Sequence, residues 1–207
     1  MYEVEVKVPA SHDDVRRELG DTDADRIAQV RQIDTYYDAP HRDFAETDEA
    51  LRLRRETRDP GSGSDSAPLD TADSAPPDTT EGDASAPETT KLTYKGPLID
   101  AESKTREEHE TAVADGDSAA AIFDGLGFEP AAVVEKHRVF FEIDGYTVTL
   151  DRVEGLGEFV EVEIEASEST DVESLRRGAF DVLRRLGLDP NEQVRTSYLG
   201  LLLDEAE

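Results

Sequence analysis

Charged side chains recur at every second position in several short stretches of this chain, alternating with apolar ones. The stretches are Glu3-Val4-Glu5-Val6-Lys7, Leu51-Arg52-Leu53-Arg54, Leu92-Thr93-Tyr94-Lys95, Lys136-His137-Arg138 and Glu161-Val162-Glu163-Ile164-Glu165. Only five lysines occur, and Lys7, Lys91, Lys95 and Lys136 all fall in or beside these stretches. A strand sends successive side chains to opposite faces, so each stretch offers one apolar and one charged face. The charged faces carry both signs. That combination suits a polyanion site, with cations for phosphate oxygens and carboxylates for the metal ions that accompany phosphates.

Acids outnumber bases 50 to 22, for a formal charge of −28 over 207 residues. Free nucleic acid is excluded as a partner by that field. The acids are spread along the whole chain, a pattern that solvates a protein surface in high salt, where self-repulsion is screened. There is no cysteine, hence no disulfide framework or thiolate metal site. No apolar run reaches the ~20 residues that span a bilayer, and the N-terminus reads directly into a strand rather than a signal segment. The expectation is a cytoplasmic protein with no membrane partner.

The length fits one domain, 1–207, carrying an insertion at 59–90. That insertion holds eight acids, five prolines, no Lys or Arg and a single large aliphatic, Leu69. Such a composition buries too little surface to offset its ordering entropy, so it reads as a disordered hairpin tip. Removing its eight acids leaves −20 on the remainder, so the acidity is not confined to it.

Outside the insertion, strands are expected at Tyr2–Val8, Val30–Tyr37, Ala50–Glu56, Lys91–Lys95, Thr105–Ala112, Val133–Ile143, Tyr146–Arg152 and Phe159–Ala166. Helices are expected from Ser11 to Leu19, over Asp117–Leu126, and over Asp171–Leu186. The last of these carries Val172, Leu175, Ala179, Val182 and Leu186 on one face. Asp144-Gly145 marks a hairpin turn, and Tyr198–Leu203 is a closing apolar stretch. By parity Arg55 points away from Arg54, His137 away from Lys136 and Arg138 as a packed outer residue, and one of Tyr36 and Tyr37 is core. Eight mostly antiparallel strands allow two arrangements. One is a closed barrel with the charged set inside and helices outside. The other is an open sheet whose charged face meets water. Periodicity alone does not choose.

Taken in order, the motifs resemble those of the CYTH superfamily, the triphosphate tunnel metalloenzymes. They are Glu3-x-Glu5-x-Lys7, Asp34-Thr35-Tyr36-Tyr37-Asp38, Ala50-Leu51-Arg52-Leu53-Arg54, Leu92-Thr93-Tyr94-Lys95-Gly96-Pro97, Arg106-Glu107-Glu108, Lys136-His137-Arg138, Asp151, Glu161-Val162-Glu163 and Ser197-Tyr198. The resemblance implies an α+β fold, a closed eight-stranded antiparallel barrel forming a tunnel, with helices packed outside. It implies that Glu3, Glu5, Asp151, Glu161 and Glu163 bind Mg²⁺ or Mn²⁺. Lys7, Arg52, Arg54, Lys95, Arg106, Lys136 and Arg138 would grip a triphosphate. Catalytic roles would fall to Lys7, Glu108 and Asp151, with the general base unassigned. The implied substrates are ATP, tripolyphosphate or thiamine triphosphate. Class IV adenylate cyclase activity stands first, a triphosphatase second, and a non-catalytic triphosphate- or nucleotide-binding module third. The resemblance also implies a homodimer.

Overall fold

The computed structural model describes residues 2–44, 46, 47, 49–58, 88–98, 106–166 and 172–205. The expected insertion therefore lies outside the described residues, apart from Glu88–Thr90, which already belong to a strand. Eight strands form. They are β1 (Tyr2–Pro9), β2 (Asp25–Asp38), β3 (Ala50–Arg58), β4 (Glu88–Leu98), β5 (Arg106–Val113), β6 (Glu129–Ile143), β7 (Tyr146–Val153) and β8 (Gly157–Ala166). Helix α1 (His12–Gly20) follows β1, α2 (Gly116–Gly125) follows β5, and α3 (Val172–Arg185) follows β8. A single 3₁₀ turn at Pro190–Glu192 leads to α4 (Tyr198–Glu205). The closing apolar stretch is thus a helix, which its Leu-rich run permits. No helix among the described residues is long and apolar enough to cross a membrane.

All pairings are antiparallel, and the strand order is β1-β8-β7-β6-β2-β3-β4-β5. The β6–β7 hairpin turns at Asp144 and Gly145, both with positive φ (53° and 80°). Those are the dihedrals a tight primed turn requires and an Asp-Gly pair tolerates. Ser11 takes the N-cap position of α1 without a side-chain cap bond, whereas Asp115 caps α2 by accepting from the Ser118 amide.

The closed barrel is not what forms. Among the described residues the sheet is open, with β1 and β5 as its two edges. A physical reason is visible at β1. Its outward edge is already engaged, because the Lys7 carbonyl accepts a hydrogen bond from the Val194 amide at 2.7 Å. The stretch beyond the 3₁₀ turn covers the edge that closure would need. At the other end, the side chains of β5 from Glu107 to Ala112 are exposed on both faces, so no second layer draws that strand inward.

One face of the sheet is apolar. Val6, Val8, Val148, Leu150, Val160 and Val162 pack there against Val15 and Leu19 of α1 and against Ala179, Val182 and Leu183 of α3, with Leu186 just beyond its end. Burying each such side chain contributes about 1.5–3 kcal/mol. Gly178 on α3 matters by its size, since a Cβ there would fall 1.9 Å from the Tyr146 hydroxyl. That hydroxyl donates to the Leu175 carbonyl at 3.1 Å, which ties α3 to β7. Helix α4 lies on the opposite, charged face. Its Tyr198, Leu199, Leu201 and Leu202 pack on Val134, Val153 and Phe159 and close one end of that face.

Candidate functional site

The register of the sheet brings the charged residues together. Gln32, Asp34 and Tyr36 of β2 stand beside Glu56, Arg54 and Arg52 of β3. Gln32 also pairs with Lys136 of β6, and Arg138 with Asp151 of β7. Thr149 pairs with Glu161 of β8, and Glu161 with Lys7 of β1. All these residues share the charged face.

Two ion clusters form on it. The first centres on Asp34, which is 0% exposed. Arg54 grips its two oxygens through Nε (2.6 Å) and Nη2 (2.8 Å), Lys136 Nζ lies at 3.0 Å, and Arg52 at 3.6 Å. Burial alone would raise the Asp34 carboxyl. The Arg54 hydrogen bonds and the neighbouring cations outweigh it and hold the group well below the carboxylate range. Burial pushes the Lys136 ammonium down to about 8, despite the attraction of Asp34.

The second cluster centres on Asp151, likewise fully buried. Arg138 grips it through Nε (2.6 Å) and Nη2 (2.8 Å), and the Tyr198 hydroxyl donates to Oδ2 at 2.9 Å. Arg138 also bonds Glu161, whose other oxygen lies 4.0 Å from Lys7 Nζ. The Lys7 ammonium sits 4.2 Å from the centroid of the Tyr198 ring, within cation–π range. Burial depresses Arg138, but the charges of Asp151 and Glu161 carry it well above its ordinary value. For Asp151, burial is outweighed by Arg138 and the carboxyl is lowered. Burial pushes the Glu161 carboxyl up to about 7, with Arg138 only partly opposing it.

Three carboxylates converge beside this second cluster. Glu5, Glu161 and Glu163 each offer an oxygen within 4.8 Å of the other two. A hard divalent cation such as Mg²⁺ or Mn²⁺ fits this all-oxygen donor set. Asp151 is not in the trio, and its oxygens are engaged by Arg138 and Tyr198. Glu3 lies on β1, but its side chain is outside the described residues, as is that of Arg106 on β5.

The remaining expected residues occupy the β3–β4–β5 wing. Lys95 pairs with Glu108 at 2.9 Å, both half-exposed. Lys91 pairs with Glu110 at 2.8 Å at the rim. Arg55 points to the other face and bonds Asp117 of α2 at 2.5 Å. Tyr37 packs edge-on against Phe123 there, while Tyr36 shares the face of Asp34. The His137 side chain does point away from Lys136, but it is 56% exposed rather than packed. Among the described residues, no helix covers β6 at that point.

Three site residues were not singled out from sequence. Asp34 was visible only as part of a motif, because its alternation with Gln32 and Tyr36 says nothing of the cations opposite. Tyr198 likewise appeared only within the Ser197-Tyr198 motif, and its reach to Asp151 spans 47 positions. Glu110 accepts from Thr93 at 3.0 Å and lies 3.9 Å from Arg52. Its alternation with Glu108 was a usable signal.

Comparison with known proteins gives the family of this chain. A CYTH domain model matches residues 1–198. A relative from Methanocaldococcus jannaschii, provisionally named an adenylate cyclase, is 32% identical over 202 residues, covering 97% of this chain and 98% of its own. The solved PH1819 protein of Pyrococcus horikoshii OT3 is 34% identical, with a TM-score of 0.76 over 99% of both chains. A provisional adenylyl cyclase from Hippeastrum, described as having a dominant triphosphatase activity, shares the fold. Its TM-score is 0.60 at 17% identity, over 98% of this chain and 95% of its own.

Proposed function

The chain belongs to the CYTH domain family, and from that premise we propose that it is a metal-dependent enzyme that hydrolyses a triphosphate chain. One observation carries the metal-dependent, triphosphate part of this reading, which hydrolysis and cyclisation share. A three-carboxylate group and a row of largely buried cations, Lys7, Arg138, Lys136, Arg54 and Arg52, share one face of the sheet. A phosphate-binding module needs the cations but has no use for the carboxylate trio.

Glu5, Glu161 and Glu163 would hold the divalent ion, which when bound supplies positive charge to the phosphate oxygens. Arg54 and Arg138 spend Nε and Nη2 on their carboxylates, so the Nη1 edge of each guanidinium is what a phosphate would meet. Lys7 and Lys136 add compact charges that can follow the substrate. Water attacks the terminal phosphorus, forms the new P–O bond and releases its proton to solvent. The bridging P–O bond breaks, and its electron pair leaves on the shortened polyphosphate. The preorganised cations stabilise charge developing on that oxygen and on the transferred group.

A second reading is cyclisation of ATP, in which the ribose hydroxyl attacks the innermost phosphorus and pyrophosphate leaves. The name of the Methanocaldococcus relative, at 32% identity, favours it. Both reactions use the same grip on the phosphates. The test offers ATP and inorganic tripolyphosphate side by side with Mg²⁺ or Mn²⁺ in high salt. Orthophosphate released from tripolyphosphate supports the hydrolase, cyclic AMP with pyrophosphate supports the cyclase, and binding of either compound without turnover defeats both.

A further inference from the structure

Three buried side-chain atoms among the described residues have no hydrogen-bond partner, namely Gln32 Oε1, Arg52 Nε and Thr149 Oγ1. All three belong to the charged face, by their register with Lys136, Tyr36 and Glu161. An unmatched buried polar atom costs about 1–3 kcal/mol, so three on one face indicate what that face is built to receive. Arg52 Nε is a donor that a phosphate oxygen satisfies, and a hydroxyl such as Thr149 can donate as well as accept. Gln32 Oε1 differs, because it can only accept.

The orientation of the Gln32 amide is set by chemistry. Its Nε2 donates to Glu56 Oε2 at 2.7 Å, and a carboxylate cannot take the place of a donor to Oε1. The carbonyl oxygen, on a residue only 3% exposed, therefore stays the unmatched atom. Gln32 sits in one cross-strand rung with Glu56 and Lys136, next to the rung that pairs Asp34 with Arg54. A phosphate drawn to Lys136 and Arg54 comes to rest over this pair of rungs. Its ionised oxygens repel a carbonyl oxygen. The matching partner is a neutral O–H held against that phosphate.

We propose that Gln32 is a positioning residue for the nucleophile: its Oε1 accepts a hydrogen bond from the attacking water and aims the water's lone pair at the phosphorus held by Lys136 and Arg54. Glu56 locks the amide in that orientation from the neighbouring strand. The inference rests on the hydrolase reading and extends it to a residue that neither the metal trio nor the phosphate grip uses.

The test is Gln32→Met, which keeps side-chain length and removes the acceptor together with the Nε2 donor to Glu56, assayed on tripolyphosphate beside the wild type. The expected result is a fall in kcat of about 100-fold or more, on the scale of losing one oriented hydrogen bond at a reacting centre. KM and the Mn²⁺ affinity read by calorimetry should change little, and the thermal midpoint should fall by no more than the roughly 2–6 °C that the lost Glu56 hydrogen bond costs. An unchanged kcat overturns the proposal. So does a rise in KM with kcat preserved, which would make Gln32 a ligand of a protonated phosphate. A midpoint that falls well beyond that, together with kcat, assigns it a structural role and also overturns the proposal. If the Met variant does not fold, Gln32→Asn, which withdraws the same carbonyl by one methylene, is read by the same criteria. Absence of turnover in the wild type defeats the hydrolase reading itself, whereas an active wild type with an equally active variant defeats only this inference.

Discussion

Asp34→Asn tests the view that the charged face is an assembled ion cluster rather than a set of surface pairs. In the native protein one fully buried carboxylate balances Arg54 at 2.6 Å, Lys136 at 3.0 Å and Arg52 at 3.6 Å. The amide keeps the size and one acceptor oxygen, but it leaves three closely spaced cations without a counter-charge. Removing one partner of a buried ion pair costs about 3–5 kcal/mol. The retained oxygen still accepts from Arg54, which places the loss near the lower end, at about 3 kcal/mol. For a chain of this size that lowers the thermal midpoint by roughly 6–12 °C. Thermal unfolding of both proteins at matched high salt reads it directly, and salt should hardly close the gap, because buried pairs are poorly screened. Tripolyphosphate should stabilise the variant by more than it stabilises the wild type, since the freed cations now lack a resident anion. Acid supplies a second readout with a definite sign. The folded Asp34 carboxyl lies below its unfolded value of 3.8. Its contribution is therefore complete above that value and is lost as pH falls through it toward the folded value. The variant should lack that part of the acid sensitivity. A loss under about 1 kcal/mol would refute the reasoning, because it would mean that solvent screens the cluster as it does an exposed pair.

Two further outcomes follow from the same geometry. Glu161→Gln removes the buried member of the carboxylate trio and should weaken Mn²⁺ binding at least tenfold by calorimetry, with the β-sheet circular dichroism unchanged; undiminished binding would take Glu161 out of the metal group. Because burial pushes Lys136 down to about 8, tripolyphosphate affinity should decline as pH rises through about 8 and the ammonium loses its proton, and Lys136→Arg, which stays charged, should flatten that decline; an identical profile for both proteins would show that Lys136 does not meet the phosphates.

Particular residues show how much of this was legible before the structure. The alternation in β1, β3, β6 and β8 placed Lys7, Arg52, Arg54, Lys136, Arg138, Glu161 and Glu163 on one face, and it placed Arg55 and His137 on the other. Parity along a strand is a local property, so it survives folding. The environment of His137 did not follow from parity, because whether an outward residue is packed depends on which helix lies over it. The order of the motifs identified the family, and the resemblance led to the expectation of a five-carboxylate metal set and a phosphate grip on one face. The division of labour among the carboxylates did not follow from it. Glu3, Glu5, Asp151, Glu161 and Glu163 are equivalent on paper, yet Asp151 is engaged by Arg138 and Tyr198, while Glu5, Glu161 and Glu163 face one another.

By itself the amino-acid sequence determined the strands, their two-faced character and the family, because all of these rest on neighbours along the chain or on the order of short motifs. Tertiary structure alone decided that the sheet stays open, that α4 caps the charged face, and that Asp34 and Asp151 are counter-ions to arginines. It also decided that Gln32 is left with an unmatched oxygen. Those outcomes depend on register between strands far apart in sequence, and on what covers an edge such as Lys7 with Val194. Register and edge coverage are settled by packing across the sheet, where a pattern read along one strand carries no information.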